Sequence, residues 1–120
     1  METTYFFDTY AFFEVIKGNP RYERFRQSKI ITSIVNLAEL GFGIRQNYQE
    51  LDADAHIKKH ASLITEITLE DAIHAPKVKF ENRKLSLADA LGYTIAKRLQ
   101  VPFVTGDKGF RHMKNVEFIK

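Results

Sequence analysis

An α/β fold built on a parallel sheet is what this sequence predicts, and three observations predict it. Apolar runs of high strand propensity alternate with amphipathic helical segments along the chain, the pattern of strands joined by crossover helices. The first run, Tyr5-Phe6-Phe7, is continuous rather than alternating, as a strand buried on both faces reads. That run stops at Asp8, which places an acid at the carboxyl end of a strand, where open parallel sheets bind ligands. Crossovers in such a sheet are expected to be right-handed.

The elements follow in order. After Asp8, Ala11, Phe12, Val15 and Ile16 recur at helical spacing until Gly18-Asn19-Pro20 stops them. Residues 21–27 read as a short polar helix with Tyr22 and Phe25 on one side, and Lys29 to Ser33 as a second strand around Ile30, Ile31 and Thr32. Asn36 to Tyr48 reads as a helix with Leu37, Leu40 and Ile44 inward. Gly41 and Gly43 each weaken it by about 1 kcal/mol relative to alanine, which fits either close packing or tolerance. Asp52 to Ser62 is polar and helical, and Leu63 to Ile67 is a candidate third strand.

Thr68 and Asp71 form a capping-box pair that opens a helix, which Pro76 is expected to end or bend. The basic stretch from Val78 to Lys84 fits a loop or a resumed helix. Ser86 to Leu99 is a helix with Leu87, Leu91, Ile95 and Leu99 at fourfold spacing. Val101 to Thr105 is a fourth strand closed by Gly106, Lys108 to Met113 a short helix, and Val116 to Ile119 the last strand.

The 120 residues make a single domain over 1–120, with 44% hydrophobic and 28% charged residues. A net charge of +3 permits an anionic partner without demanding one. The absence of cysteine excludes disulfides, thiolate catalysis and cysteine-held metals. No apolar run reaches membrane-spanning length and the N-terminus does not read as a signal peptide, so no membrane association and a cytoplasmic location are expected.

Three further acids occupy positions like that of Asp8: Glu39 near the start of the second long helix, Asp89 in the first turn of its helix, and Asp107 just past the fourth strand. Each has an ordinary explanation. Asp8 and Asp107 suit N-caps, and the pairs Asn36 with Glu39 and Ser86 with Asp89 have capping-box spacing. Together they say more. Helices that follow parallel strands start at the carboxyl edge, so Asp8, Glu39 and Asp107 share one rim, and Asp89 joins them if its helix starts there. Crowded carboxylates repel unless a cation joins them. Oxygen donors alone suit Mg2+ or Mn2+, completed by water and substrate phosphate. Such an ion activates water and stabilises in-line displacement at phosphorus, so metal-assisted phosphodiester hydrolysis is the expected chemistry.

On these residues the chain resembles the PIN-domain ribonucleases, and most closely the VapC-like toxins of toxin–antitoxin pairs. The resemblance is carried by Phe6-Phe7-Asp8-Thr9, by Asn36-Leu37-Ala38-Glu39-Leu40, by Leu85-Ser86-Leu87-Ala88-Asp89-Ala90, and by Val104-Thr105-Gly106-Asp107-Lys108-Gly109-Phe110. It implies a three-layer α/β/α sandwich around a parallel sheet of order 3-2-1-4-5. It also implies Mg2+- or Mn2+-dependent endonucleolytic cleavage of RNA, with Asp8, Glu39, Asp89 and Asp107 as the acidic pocket and Asp8 and Asp89 as direct metal ligands. Thr105 then supports the pocket beside Asp107. The same resemblance implies a homodimer and a small antitoxin protein that lays a helix over the pocket and sends an arginine or lysine toward the acids. Residues 52–84 carry no motif of the family.

Other residues carry two readings each. His56 and His60 share a helix face at zinc-ligand spacing, but Ile57-Lys58-Lys59 between them lacks a catalytic glutamate and no third ligand is evident, which favours a solvated pair. Lys77, Lys79, Arg83 and Lys84 precede Asp89, and Lys108, Arg111 and Lys114 follow Asp107. They suit RNA phosphates or merely a solvated face, with Lys84, Lys108 and above all Arg111 the candidates for substrate, and Thr105 beside them. Tyr10, Phe12 and Phe13 suit core packing better than base stacking. Two further functions compete with a toxin nuclease: a PIN-type nuclease of RNA maturation or decay, and a PIN-like module that binds RNA or protein without cutting. A phosphotransferase with Asp8 as nucleophile fits poorly, because Tyr10 stands where a second aspartate is usual.

Overall fold

A computed structural model describes residues 2–120. Its strands are β1 (Thr4–Phe7), β2 (Lys29–Ile31), β3 (Phe103–Thr105) and β4 (Val116–Phe118), all parallel and ordered β2-β1-β3-β4. The helices are α1 (Thr9–Ile16), α2 (Ile34–Asn47), α3 (Ala53–Lys59), α4 (Leu69–Glu81) and α5 (Leu87–Arg98), with short 3-10 turns over Pro20–Phe25, Ala61–Leu63 and Lys108–Phe110.

Strand alternation divides the core in two. Phe7 and Val104 face one side of the sheet, where Ala11 and Phe12 of α1 and Leu37, Leu40 and Ile44 of α2 cover them. Phe6 and Phe103 face the other, against Tyr93, Ile95 and Ala96 of α5 and Phe110. Successive strand residues point to opposite faces, so the adjacent phenylalanines of β1 each anchor one layer and the result is an α/β/α sandwich. Gly92 lets α5 approach closely, since a Cβ there would meet the Phe6 and Phe103 rings at 3.1 and 3.3 Å.

The stretch expected as a third strand is reduced to one parallel bridge, Thr32 to Ile64, held by the Thr32 N–H on the Leu63 carbonyl at 3.0 Å and the Thr65 N–H on the Thr32 carbonyl at 2.8 Å. The expected order therefore survives in four strands, with third place at the edge held by that bridge. Its residues are partly buried or exposed, so little apolar burial supports a longer ladder, and the chain must turn at once into the Thr68 cap.

Two other expectations are corrected. The second long helix begins at Ile34 with Ser33 as its N-cap, the Ser33 hydroxyl accepting the Asn36 N–H at 3.2 Å. Asn36 and Glu39 therefore form no capping box. α4 runs through Pro76 to Glu81. The missing Pro76 N–H deprives the Ala72 carbonyl of its partner, but packing against α5, with Ala75 buried, carries the helix past it. α5 buries Ala90, Tyr93, Ile95 and Ala96, while Leu87 at its start is exposed. Gly41 and Gly43 serve close packing, because a Cβ at either would collide with Ile57 or Phe13 respectively.

An ion pair locks the two helices after the bridge. Arg98 donates to both carboxylate oxygens of Asp71, each at 2.9 Å, and to the Glu66 carbonyl at 3.1 Å. Asp71 also completes the Thr68 capping box. Burial alone would lift its carboxyl, but Arg98 and Thr68 hold it below the usual range.

Candidate active site

β1 ends at Phe7, and Asp8 is the N-cap of α1, its Oδ1 accepting the Ala11 N–H at 2.9 Å. Asp89 sits in the first turn of α5 in a capping box with Ser86, accepting the Ser86 N–H at 3.0 Å. Asp107 follows β3, caps the turn over Lys108–Phe110 and accepts the Gly109 N–H at 2.9 Å. Glu39 lies on α2, where the Thr9 hydroxyl donates to its Oε1 at 3.0 Å.

Capping and gathering thus coincide. One oxygen of each carboxylate is fixed by the chain, which sets its direction. The second oxygens of Glu39 and Asp107 accept no hydrogen bond from the described residues. The acids also sense one another's charge: Asp8 is affected by Asp89 and Asp107, Glu39 by Asp89, and Asp89 by Asp107. All four sequence candidates therefore lie in one constellation.

Burial dominates the electrostatics. Asp8 is 3% exposed, and desolvation pushes its carboxyl up to about 8, against hydrogen bonds from the Thr105 hydroxyl and Ala11 N–H and with the neighbouring acids pushing the same way. Glu39 and Asp89 are raised by the same chief cause, desolvation. Thr9 pulls Glu39 back, while Ser86 and the Lys79 charge pull Asp89 back.

Such a set fits a hard divalent cation. Every donor is a carboxylate oxygen, the acids raise one another's proton affinity, and the groups that hold Asp8 down most strongly are uncharged. No three acids among the described residues enclose an ion by themselves. Mg2+ and Mn2+ keep several waters and take one or two carboxylates alongside phosphate, so Asp8 and Asp89 are the residues that would hold one.

The supporting residues were less legible. Thr105 is fully buried beneath the acids. Its hydroxyl accepts the Asp107 N–H at 3.0 Å and bonds Asp8, so it positions acids rather than meeting solvent. Thr9, Asn36 and Ser33 form a relay missed in the sequence: Asn36 Nδ2 donates to the Thr9 hydroxyl at 3.3 Å, and the Ser33 hydroxyl donates to Asn36 Oδ1 at 2.7 Å. The placement of Thr9 immediately after Asp8 was the available signal.

Among the cations, Lys84 is exposed in the loop before Ser86. Lys79 is the one whose charge holds Asp89 down, with its ammonium on the Leu85 carbonyl at 2.9 Å. Lys108 is exposed next to Asp107. The Arg111 guanidinium lies over the Phe118 ring, 5.1 Å from its centroid. His60 is not a solvated histidine: it packs on Phe12 with ring centroids 4.8 Å apart, and burial lowers its proton affinity. Phe12 is core, and Phe13 packs over Gly43 and Tyr48. An apolar cavity of about 270 Å³, walled by Phe7, Phe12, Tyr22, Phe25 and His60, contains none of the four acids.

The family model of the PIN domain matches residues 5–116. No curated protein sequence matches the chain. Solved structures share the fold at low identity. A toxin–antitoxin complex from Klebsiella pneumoniae is 20% identical with a TM-score of 0.73, covering 93% of this chain and 94% of the other. PAE2754 from Pyrobaculum aerophilum is 21% identical with a TM-score of 0.70, covering 98% and 92%. VapC20 from Mycobacterium tuberculosis, a sarcin-ricin loop cleaving toxin, is 18% identical with a TM-score of 0.77, covering 97% and 99%.

Proposed function

The chain belongs to the PIN-domain family, and from that membership and its four gathered acids we propose that it is a Mg2+- or Mn2+-dependent endoribonuclease, the toxin of a toxin–antitoxin pair. The observation that carries this reading is the gathering of acids about Asp89, whose electrostatic field reaches Asp8, Glu39 and Asp107 alike. Acids kept together only as helix caps would have no need to lie within one another's field.

Asp8 and Asp89 would hold the cation, with Asp107 and Glu39 completing the negative rim. A bound divalent ion supplies Lewis acidity toward the phosphate and a place for the attacking water. The chain's own groups do the rest. Thr105 fixes Asp8 against Asp107, Thr9 aims Glu39, and the caps of Asp89 and Asp107 keep both carboxylates in position without reorganisation. Burial of Asp8 keeps its charge poorly solvated, so its ionised form is stabilised chiefly by whatever cation arrives.

The partner surfaces belong to the same reading. Ile34 and Phe42 stand exposed on α2, the helix that carries Glu39, at a spacing of two helical turns. That apolar stripe suits the helix of a small antitoxin lying beside the rim. Leu69, Ile73 and Phe80 are exposed along α4, a stripe suited to a second copy in a homodimer. Among the described residues no helix is long and apolar enough to cross a membrane, and the proposed site of action is the cytoplasm.

The test is cleavage of structured and unstructured RNA by partner-free protein, with Mg2+ or Mn2+ against chelator, beside Asp8→Asn. Cutting that needs the metal and vanishes in the variant is expected. If the metal-loaded protein cuts neither RNA while both forms bind RNA equally, the chain is a binding module.

A further inference from the structure

Past the carboxyl ends of β3 and β4 the surface changes sign. Arg21, Arg24, Arg111 and Lys120 line an open cleft of about 600 Å³ together with Phe118 and Ile119. They come from separate parts of the chain, and only Arg111 lies near a motif in the sequence. The Arg111 guanidinium lies over Phe118 at 5.1 Å and that of Arg24 over Phe25 at 4.8 Å. A guanidinium laid flat on a ring is held in one plane, with its N–H edges available to oxygen. Arg24 gives one edge to Glu117 at 2.9 Å, and Arg21 reaches the Lys120 carbonyl at 3.4 Å.

The crowding has an electrostatic mark. The Lys120 ammonium is pushed below its ordinary range by the charge of Lys108 above all, with Arg111 adding to it. Like charges brought together on a surface are relieved by an anion. A polyanion relieves several at once and releases its counterions.

The cleft and the acids also meet. Lys108 directly follows Asp107, and Gly106 is the point of contact between the two regions. A Cβ at Gly106 would collide with the Tyr10 ring and with the Ile119 carbonyl at the cleft.

We propose that this cleft carries the phosphate backbone of single-stranded RNA on one side of the cleaved bond, with Arg21, Arg24 and Lys120 joining Lys108 and Arg111 as its contacts. The inference rests on the nuclease reading and deepens it. Phe118 is the one ring lining the cleft and Arg111 lies over it, so the contribution is to phosphate without regard to sequence.

The test measures binding of a labelled unstructured RNA across a salt series, in an Asp8→Asn background so that nothing is cut. Arg21→Gln with Arg24→Gln is expected to weaken binding and to flatten the slope of log K against log salt by roughly 0.7 per arginine. Arg21→Lys with Arg24→Lys keeps the charge and retains the slope. Lys58→Gln with Lys59→Gln removes the same charge from the exposed side of α3 and leaves the slope unchanged. An unchanged affinity and slope in the Arg→Gln pair would sink the proposal and leave the cleft to another anion, such as an acidic protein partner. Equal effects from the lysine control would sink it too, by reducing it to net charge. If wild-type protein still cuts RNA in either case, only the cleft assignment fails; if it neither cuts nor binds RNA, the nuclease reading fails with it.

Discussion

At Asp8 burial and the neighbouring acids push the same way, against the hydrogen bonds from Thr105 and Ala11. Its carboxyl, ordinarily at 3.8, is pushed up to about 8, chiefly by desolvation. Between those values the folded, metal-free chain holds a proton that the unfolded chain has released. The raised folded value therefore adds stability at low pH that drains away as pH rises through the window, by up to about 1.4 kcal/mol per pH unit. Denaturant melts of chelator-treated protein from pH 5 to pH 8 (about the span of the shift) are expected to show that decline, and Asp8→Asn to remove most of it. A cation that binds the carboxylate must displace the proton. Calorimetry in buffers of different ionisation enthalpy should accordingly record proton release on Mn2+ binding at neutral pH, and the variant should release less. The acid itself was plain in the sequence, because an apolar run ending in aspartate says where the strand stops. Thr9 and Thr105 were harder to read, since a hydroxyl has no pattern of its own and its role depends on which backbone the fold brings beside it.

Among the elements, α4 and α5 depend on a contact that spacing could not reveal. Asp71 was legible as a cap partner of Thr68, but its bidentate pair with Arg98 joins the start of one helix to the end of the next. Arg98→Ala strands a carboxylate that is 1% exposed and is expected to cost about 3–5 kcal/mol in a denaturant melt. A loss under about 1 kcal/mol, the usual worth of an exposed pair, would mean that Asp71 finds water or another partner. The same dependence on neighbours explains the misread boundaries. Ile34 and Val35 have strand propensity, so the start of α2 looked later than Ser33 sets it. Pro76 obeyed its local rule only in losing a hydrogen bond, because packing on α5 supports the helix on both sides. The bridge at Ile64 shows the reverse: a short apolar stretch at a sheet edge had propensity without enough burial to extend it.

Over the whole molecule, legibility followed topology. Parallel strands put their carboxyl ends on one side, so a reader who found the strands also found where the acids meet. The basic cleft escaped because Arg21 and Arg24 are ordinary surface residues until β4 is placed beside them. Binding at the shared rim should stabilise the entire fold, since the acids come from α1, α2, α5 and the end of β3. Mn2+ at about a hundred times its dissociation constant is expected to add about 2.7 kcal/mol, seen as a melting midpoint several degrees higher. Asp8→Asn should lose that rise; an equal rise in the variant would place the ion elsewhere.

The register of the central strands has a consequence for the order in which the protein is made. Phe6 pairs with Phe103 and Phe7 with Val104, so the strand that carries Asp8 waits for a neighbour that is made much later in the chain. A chain emerging from the ribosome exposes Asp8, then Glu39, then Asp89, and none of them has its full surroundings until β3 delivers Thr105 and Asp107. Until that strand pairs, the rim on which the proposed cleavage depends is incomplete, so the proposed activity cannot precede the folding of the sheet.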